Sequence, residues 1–162
     1  MRISIFIFFI FLVSCKHNAK DNVDNCPLLL LNDTGFKTIR AKLQRHISDS
    51  VTNDEFIINY RKGKWCIRDA KHPWEKKYSE DYEGIVVESY TKDFVLIFCP
   101  YSGIVESYKL FPHRYHDMYL LDRWDGATIK HIAFQGGLGN AAIYKSAIYI
   151  QFDSLEIHKC AY

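Results

Sequence analysis

The sequence has no excess of either charge sign. Its 21 Lys and Arg residues stand against 19 Asp and Glu residues, a formal net charge of +2 over 162 residues. Proteins that bind nucleic acid generally carry a clustered basic surface, so the near balance argues against a nucleic-acid partner. The length suits a single domain, and a chain of this size can bury a core without help from a metal.

Several motifs that mark enzymes are also missing. The chain contains no HExxH zinc motif, no GxSxG nucleophile turn and no CxxC pair. The glycine-rich segment 135–140 lacks the Lys-Ser or Lys-Thr ending of a phosphate-binding loop, and we expect a turn there. These absences favour a protein that is not an enzyme and carries no cofactor.

No apolar run is long enough to span a bilayer. The longest, Ile3 to Val13, is interrupted only by Ser4 and follows Arg2. A helix of this length rises roughly 16 Å, about half the hydrocarbon thickness of a membrane. A basic residue, a short apolar core and then small residues form the pattern of a secretory signal peptide.

The segment Leu12-Val13-Ser14-Cys15 resembles the lipobox of bacterial lipoproteins. The resemblance implies that residues 1–14 are removed and that Cys15, then the first residue, carries fatty acids such as palmitate, which hold the protein on the cell-envelope membrane. In the enteric members of that family an Asp at the next position retains the protein at the inner membrane. Lys16 stands there instead, which favours the outer membrane. An ordinary secretory signal or an uncleaved anchor are the alternatives.

Residues 15–25 are polar and aperiodic, so we expect a lipidated N-terminus and flexible tether, followed by one globular domain over residues 26–162. That domain contains four cysteines, Cys26, Cys66, Cys99 and Cys160. In an exported chain they permit two disulfide bonds with three possible pairings. Alternatively Cys66 and Cys99, which lie in apolar runs, act as small unpaired hydrophobes.

One amphipathic helix is predicted over Thr34–Ser48, with Asp33 or Thr34 as the N-cap. Its apolar stripe consists of Phe36, Ile39, Leu43 and Ile47, at helical spacing. The remaining surface is basic, and we interpret it as a solvated face in preference to an anion-binding site. Its cationic residues are Lys37, Arg40, Lys42, Arg45 and His46.

The rest of the domain alternates short β-rich runs with turn residues. Strands are predicted at 56–60, 65–69, 85–90, 94–99, 104–111, 118–124, 128–134, 142–152 and 155–162, with a long loop over 70–83. Gly63, Asp125-Gly126 and Asp153-Ser154 are the predicted hairpin turns, the second of type I′. Short connections favour antiparallel pairing. The predicted fold is α+β and β-rich, an antiparallel meander or small barrel of about eight strands with one helix.

A polar segment, 112–117, contains the only His pair at metal-ligand spacing. His113 and His116 would share an ion if they lay on one helical turn, with Asp117 as an oxygen ligand and His131 or His158 as a third protein ligand. The signal is weak because His-rich loops are often simply solvated. We therefore predict no metal and retain a metal-dependent enzyme as the third hypothesis.

The chain is rich in aromatic residues, with eleven Tyr and three Trp. Such side chains suit protein interfaces and sugar-stacking surfaces, although many serve as strand residues. The leading hypothesis is a non-enzymatic protein-binding module of the inhibitor or immunity-protein type, and the second is a carbohydrate- or small-ligand-binding lipoprotein. Aromatic residues in predicted loops are the candidate contacts: Trp74, Tyr78, Tyr82, Tyr101 and Tyr115.

Overall fold

A computed structural model describes residues 21–22, 26–30, 32–33, 35–48, 54–101, 116–134, 137–152 and 156–162. The lipobox with Cys15, the segment that contains His113 and Tyr115, and the predicted strand 104–111 lie outside these residues, as does the turn Asp153-Ser154. In the described part, no helix is long and apolar enough to cross a membrane.

The described chain forms one helix and eleven strands. The helix α1 spans Phe36–Ser48. The strands are β1 (Asp21–Asn22), β2 (Phe56–Arg61), β3 (Lys64–Asp69), β4 (Glu75–Tyr78), β5 (Val86–Tyr90), β6 (Phe94–Cys99), β7 (His116–Asp122), β8 (Thr128–Phe134), β9 (Leu138–Tyr144), β10 (Ala147–Phe152) and β11 (Ile157–Ala161).

These strands make three sheets, with the orders β1-β8-β7-β6-β5, β11-β10-β9 and β2-β3-β4. All neighbours pair antiparallel except β1, which is parallel to β8. The β-rich α+β class with one helix is confirmed. The count of about eight strands is wrong, and no sheet closes into a barrel in the described ranges. Because β1 pairs with Ile132 and Ala133, strand pairing already begins inside the segment predicted as a tether.

Three apolar clusters stack the elements in layers. The sheet β5–β8 packs one face against β9–β11, around residues such as Leu96 and Ile148. Its other face packs against β2–β4, around residues such as Ile67 and Ile97. The helix covers the far face of β9–β11. The order is therefore α1, β9–β11, β5–β8 and β2–β4.

The helix matches the predicted stripe at Phe36, Ile39 and Leu43, which are buried; the Ile47 side chain is not among those described. Lys37 and Arg40 are exposed, and the side chains of Lys42, Arg45 and His46 are also outside the described set. The Asp33 carboxylate accepts a hydrogen bond from the backbone of Leu30, upstream of the helix.

Cys26 and Cys160 form a disulfide bond, and their Cα atoms lie 4.8 Å apart. Cys66 and Cys99 are free and buried. One of the two disulfide bonds that the four cysteines permit is thus present, and Cys66 and Cys99 act as unpaired apolar residues. The bond attaches the segment before α1 to β11, 134 residues later.

One of the two glycine-containing hairpin turns follows the predicted turn chemistry, and the other does not. Lys62 and Gly63 both have positive φ, 51° and 71°, as a two-residue type I′ turn requires. Gly126 has φ 73°, but Asp125 does not share the left-handed conformation. The predicted type I′ turn at Asp125-Gly126 is therefore wrong, and β7 and β8 are joined by a five-residue loop, 123–127.

Candidate functional site

The loop 123–127, hereafter the Trp124 loop, carries the most exposed large hydrophobic side chain described. Trp124 is 66% exposed, and its indole lies 4.8 Å from the His72 ring between centroids. An indole held in water offers a partner a large apolar area and one N–H donor. The His72 ring is tilted 56° to the indole and is largely buried, so the exposed apolar surface here comes mainly from Trp124.

Side-chain hydrogen bonds hold the Trp124 loop in one shape. The Asp122 carboxylate accepts from the Trp124 backbone N–H at 2.7 Å, and Asp125 accepts from that of Ala127 at 2.7 Å. Aspartate side chains commonly fix turns by bonding two residues ahead. Gly126 presses against the Trp74 indole, where a Cβ atom would lie 2.8 Å from the ring. The Trp74 Nε1 donates to the Arg123 carbonyl at 2.8 Å.

The side chain of Arg123 anchors the Trp124 loop to the protein interior. Its side chain is buried; Nε donates to Asp69 at 2.8 Å, and one terminal nitrogen lies 2.7 Å from Glu55. The other terminal nitrogen donates to the Thr91 carbonyl. The guanidinium also lies 4.8 Å from the centre of the Phe56 ring. This cluster joins the sheet β2–β4 to the base of the loop.

The charges in this cluster stabilise one another. Burial acts to raise the pKa of Asp69, but hydrogen bonds from Arg123, the Lys71 backbone and His72 leave that pKa below its usual value. Hydrogen bonds from Lys71 and Arg123 likewise lower the pKa of Glu55. Burial works against the charge of Arg123, yet its two carboxylate partners raise its pKa on balance. The cluster therefore stays ionised at neutral pH.

A second polar cluster, the Asp117 network, lies at the opposite end of β7. Asp117 is buried and accepts a hydrogen bond from the Tyr82 hydroxyl at 2.6 Å. Its other oxygen lies 2.7 Å from His131 Nε2. The Tyr82 and Tyr119 hydroxyls are 3.2 Å apart, and the Tyr119 and His131 rings stack at 4.3 Å.

Burial raises the pKa of Tyr119 to about 12. Burial, followed by the hydrogen bond to Asp117, also raises the pKa of Tyr82. Burial raises the pKa values of the nearby Tyr78 hydroxyl and Cys99 thiol. These groups stay protonated at neutral pH and serve as donors or packing groups.

Of the predicted metal ligands that the structure describes, Asp117 and His131 lie in contact, and His113 is outside the described residues. His116 opens β7 and contacts the Phe98 and Phe134 rings, on the face toward β9–β11. Asp117 follows it on a strand, where successive side chains point to opposite faces, and Asp117 binds His131. His158 packs against Phe152. Within the ranges the structure describes, no three His, Cys, Asp or Glu side chains are grouped to hold an ion.

The predicted contact aromatics lie in different surroundings. Trp74, Tyr78 and Tyr82 are half-buried and pack in the cluster between β2–β4 and β5–β8. Tyr101 is 38% exposed, and its backbone N–H donates to His116 Nδ1. Trp124 was not among the predicted contacts, because the sequence assigned it to the end of a strand. The adjacent Asp125-Gly126 pair was the signal that a loop begins near it.

Comparison with known proteins gives no relative: the sequence matches no protein-family model, and neither a curated protein nor a solved structure matches it.

Proposed function

We propose that this protein is a bacterial lipoprotein, anchored through Cys15 to the outer membrane, that binds another protein without catalysing a reaction. The anchor rests on the lipobox-like Leu12-Val13-Ser14-Cys15, and the choice of membrane rests on Lys16. The partner would be captured as inhibitors and immunity proteins capture theirs, by a rigid surface that complements it.

The exposed Trp124 on its braced loop is the observation that carries the binding proposal. Binding hot spots are enriched in Trp, Tyr and Arg. An anchor that is already held in its bound shape loses little conformational entropy on association. Trp124 combines high exposure with backbone restraint from Asp122 and Asp125.

The exposed Trp124 indole supports a second candidate, binding of a carbohydrate, because a sugar ring can stack on an aromatic face. The two candidates differ in the partner and share the surface. A test must therefore report on both the chemistry of the partner and the contribution of Trp124.

The anchor is tested by mass spectrometry of the full chain expressed in a bacterium. We expect the N-terminus to begin at Cys15 with added acyl mass, and the Cys15→Ala variant to lose that mass and leave the membrane fraction. A wild-type chain that is free of acyl groups and soluble would refute the anchor, whatever the binding results.

The binding surface is tested by cross-linking the anchored protein in intact cells and identifying its adducts. We expect one protein adduct to be enriched with the wild type, to fall at least about tenfold with Trp124→Ala, and to persist with Tyr101→Ala. Tyr101 is the matched control because it is an exposed aromatic near the other end of β7. If Tyr101→Ala abolished the protein adduct and Trp124→Ala did not, the binding surface would lie away from Trp124. No protein adduct, with a glycan that raises the melting temperature only when Trp124 is present, would favour carbohydrate binding.

A further inference from the structure

The outer edge of β2 presents unpaired strand backbone. β2 is an outer strand of its sheet, and among the described residues no strand pairs with its far side. Arg61 and Lys64 flank the two-residue turn, and Ala70 N–H donates to the Glu55 carbonyl. The odd-numbered residues of β2 therefore bond to β3. The backbone groups of Phe56, Ile58 and Tyr60 point outward.

Other sheet edges in the described chain are covered or blunted. The segment that precedes α1 runs along β11, where Lys159 N–H donates to the Pro27 carbonyl. The Ser89 hydroxyl accepts from Ile143 N–H on the outer side of β9. β4 is only four residues long and contains two lysines. Short length, charge and covering segments are the usual ways to prevent edge pairing.

β2 has none of these features along its centre. It is six residues long, and the stretch from Ile57 to Tyr60 carries no charge. Ile57 is 38% exposed and Tyr60 52% exposed. An exposed apolar edge of this length is a template for another extended strand.

We propose that this edge is the interface between two copies of the chain, with β2 antiparallel to β2 of the second copy around a twofold axis at Ile58. The opposite charges at the two ends of β2 favour pairing with a second, antiparallel copy of the same strand. Exposed Asp54 precedes β2 and exposed Lys62 follows it. In a pairing centred on Ile58, Asp54 of each copy faces Lys62 of the other.

The side chains agree with the same register. The outward-pointing backbone of Ile58 pairs with its own symmetry mate, and Phe56 pairs with Tyr60 of the second copy. These residues lie on the face of the sheet that packs inward, with Phe56 and Ile58 at the edge of the cluster that contains Ile67. The pairing would continue that cluster across the axis and cover the exposed Tyr60 ring, and aromatic cross-strand pairs of this kind stabilise sheets.

Charge reversal tests the partner and the register together. Full-length protein in detergent is examined by sedimentation velocity over a concentration series. We expect a dimer whose dissociation constant rises about tenfold with Asp54→Lys or with Lys62→Glu, since each change makes two symmetric pairs repulsive. The double variant should restore wild-type affinity. Lys92→Glu, at a lysine whose side chain is 89% exposed in the β5–β6 turn, is the control and should change nothing.

A wild-type protein that stays monomeric at every concentration would overturn the proposal. A double variant as weak as the single variants would also overturn it, because the two charges would then not face each other. All three substitutions are at exposed residues, so folding is not at stake.

Cysteine cross-linking tests the axis separately. Directly paired residues on hydrogen-bonded antiparallel strands have Cα atoms about 5.5 Å apart, within disulfide range. We expect Ile58→Cys to give a covalent dimer on mild oxidation, and Ile57→Cys and Asn59→Cys to give little. The wild type should give none when Cys15 is acylated, because Cys66 and Cys99 are buried and Cys26 and Cys160 are already bonded to each other. Preferential cross-linking at position 57 or 59 would refute this register, and equal cross-linking at all three would indicate random collision.

Discussion

Arg123 joins several groups around it: the carboxylates of Asp69 and Glu55, the Thr91 carbonyl and the Phe56 ring. It is 4% exposed and holds Asp69, which is 3% exposed, together with Glu55. Removal of one member of a buried ion pair leaves a charge without compensation, which generally costs more than the pair itself contributes. The cost should fall on stability and also on the shape of the Trp124 loop, which Arg123 supports.

We therefore predict that Arg123→Met lowers the free energy of unfolding by about 3–5 kcal/mol. Urea denaturation at neutral pH measures this change. Lys92→Met removes a cation whose nearest carboxylate, Asp93, is 3.9 Å away at the surface, and it should have little effect. If both variants unfolded at the same urea concentration, the Arg123 cluster would not be a stabilising element.

Glu88 makes the stability of the folded protein depend on pH. It occupies an irregularity in the pairing of β5 with β6, between Val87 and Ser89. Burial raises its pKa to about 7, partly opposed by a hydrogen bond from the Ala141 backbone. A carboxyl whose pKa is raised on folding favours the folded state when protonated. Its contribution is complete below pH 4.5, the ordinary value, and is lost as the pH rises through about 7.

The wild type should accordingly lose about 2–3 kcal/mol of stability between pH 4.5 and 8 from this group, since one pKa unit corresponds to about 1.4 kcal/mol. Glu88→Gln should remove that loss and be the more stable protein at pH 8. Denaturation midpoints at several pH values provide the measurement, with Glu83→Gln as an exposed control. Parallel pH profiles for Glu88→Gln and wild type would contradict the assignment.

At the scale of single elements, the Trp124 loop depends on Gly126. A side chain there would have to adopt φ 73°, and its Cβ would lie 2.8 Å from the Trp74 ring. A non-glycine residue in such a conformation typically costs about 1–3 kcal/mol, to which the displacement of Trp74 must be added.

Gly126→Ala should therefore destabilise the fold by at least about 1–3 kcal/mol and weaken partner binding through the shifted Trp124. Gly84→Ala is the matched control, because a Cβ at Gly84 meets no atom within 4 Å. Calorimetry gives the stability, and the in-cell cross-linking assay gives the binding. If Gly84→Ala were equally damaging, a general loss of glycine flexibility would be the cause.

The elements that could be predicted from the sequence are those with a clear period. The helix shows its buried face in the spacing of its apolar residues, and β6 stands out as a short, continuous apolar run. β4 was predicted as loop because its sequence, Glu-Lys-Lys-Tyr, is polar. Tertiary contacts order it: Lys76 Nζ donates to the Thr128 hydroxyl, and burial lowers the pKa of that lysine.

The single strand predicted over 142–152 is instead a hairpin, β9 and β10, that turns at Lys145 and Ser146. Lys145 takes φ 53° without the Gly, Asn or Asp that usually signals such a turn. Both faces of β9 and β10 are buried, so apolar residues continue through most of the segment. The sequence therefore gives no sign of the turn between the two strands. The exposure of Trp124 could not be predicted either, because it depends on how neighbouring sheets pack and not on the local sequence.

At the scale of the whole molecule, the disulfide bond between Cys26 and Cys160 closes a loop of 134 residues. Closing a loop of that size restricts the unfolded chain, and loss of such a bond typically costs about 2–5 kcal/mol. We predict that the double variant Cys26→Ala/Cys160→Ala loses stability by this amount, as measured by thermal unfolding. Cys66→Ala, at a free cysteine, is the control and should lose less. An unchanged melting temperature in the double variant would contradict this role.

The same bond limits what a single proteolytic cut can release. A single cut in any exposed turn between residues 26 and 160, such as Lys62-Gly63, leaves two fragments that are still covalently joined through the sulfur atoms. If Cys15 carries lipid, both fragments stay on the membrane after that cut. Shedding of the domain then requires cleavage between residues 15 and 26, two cuts, or reduction of the bond.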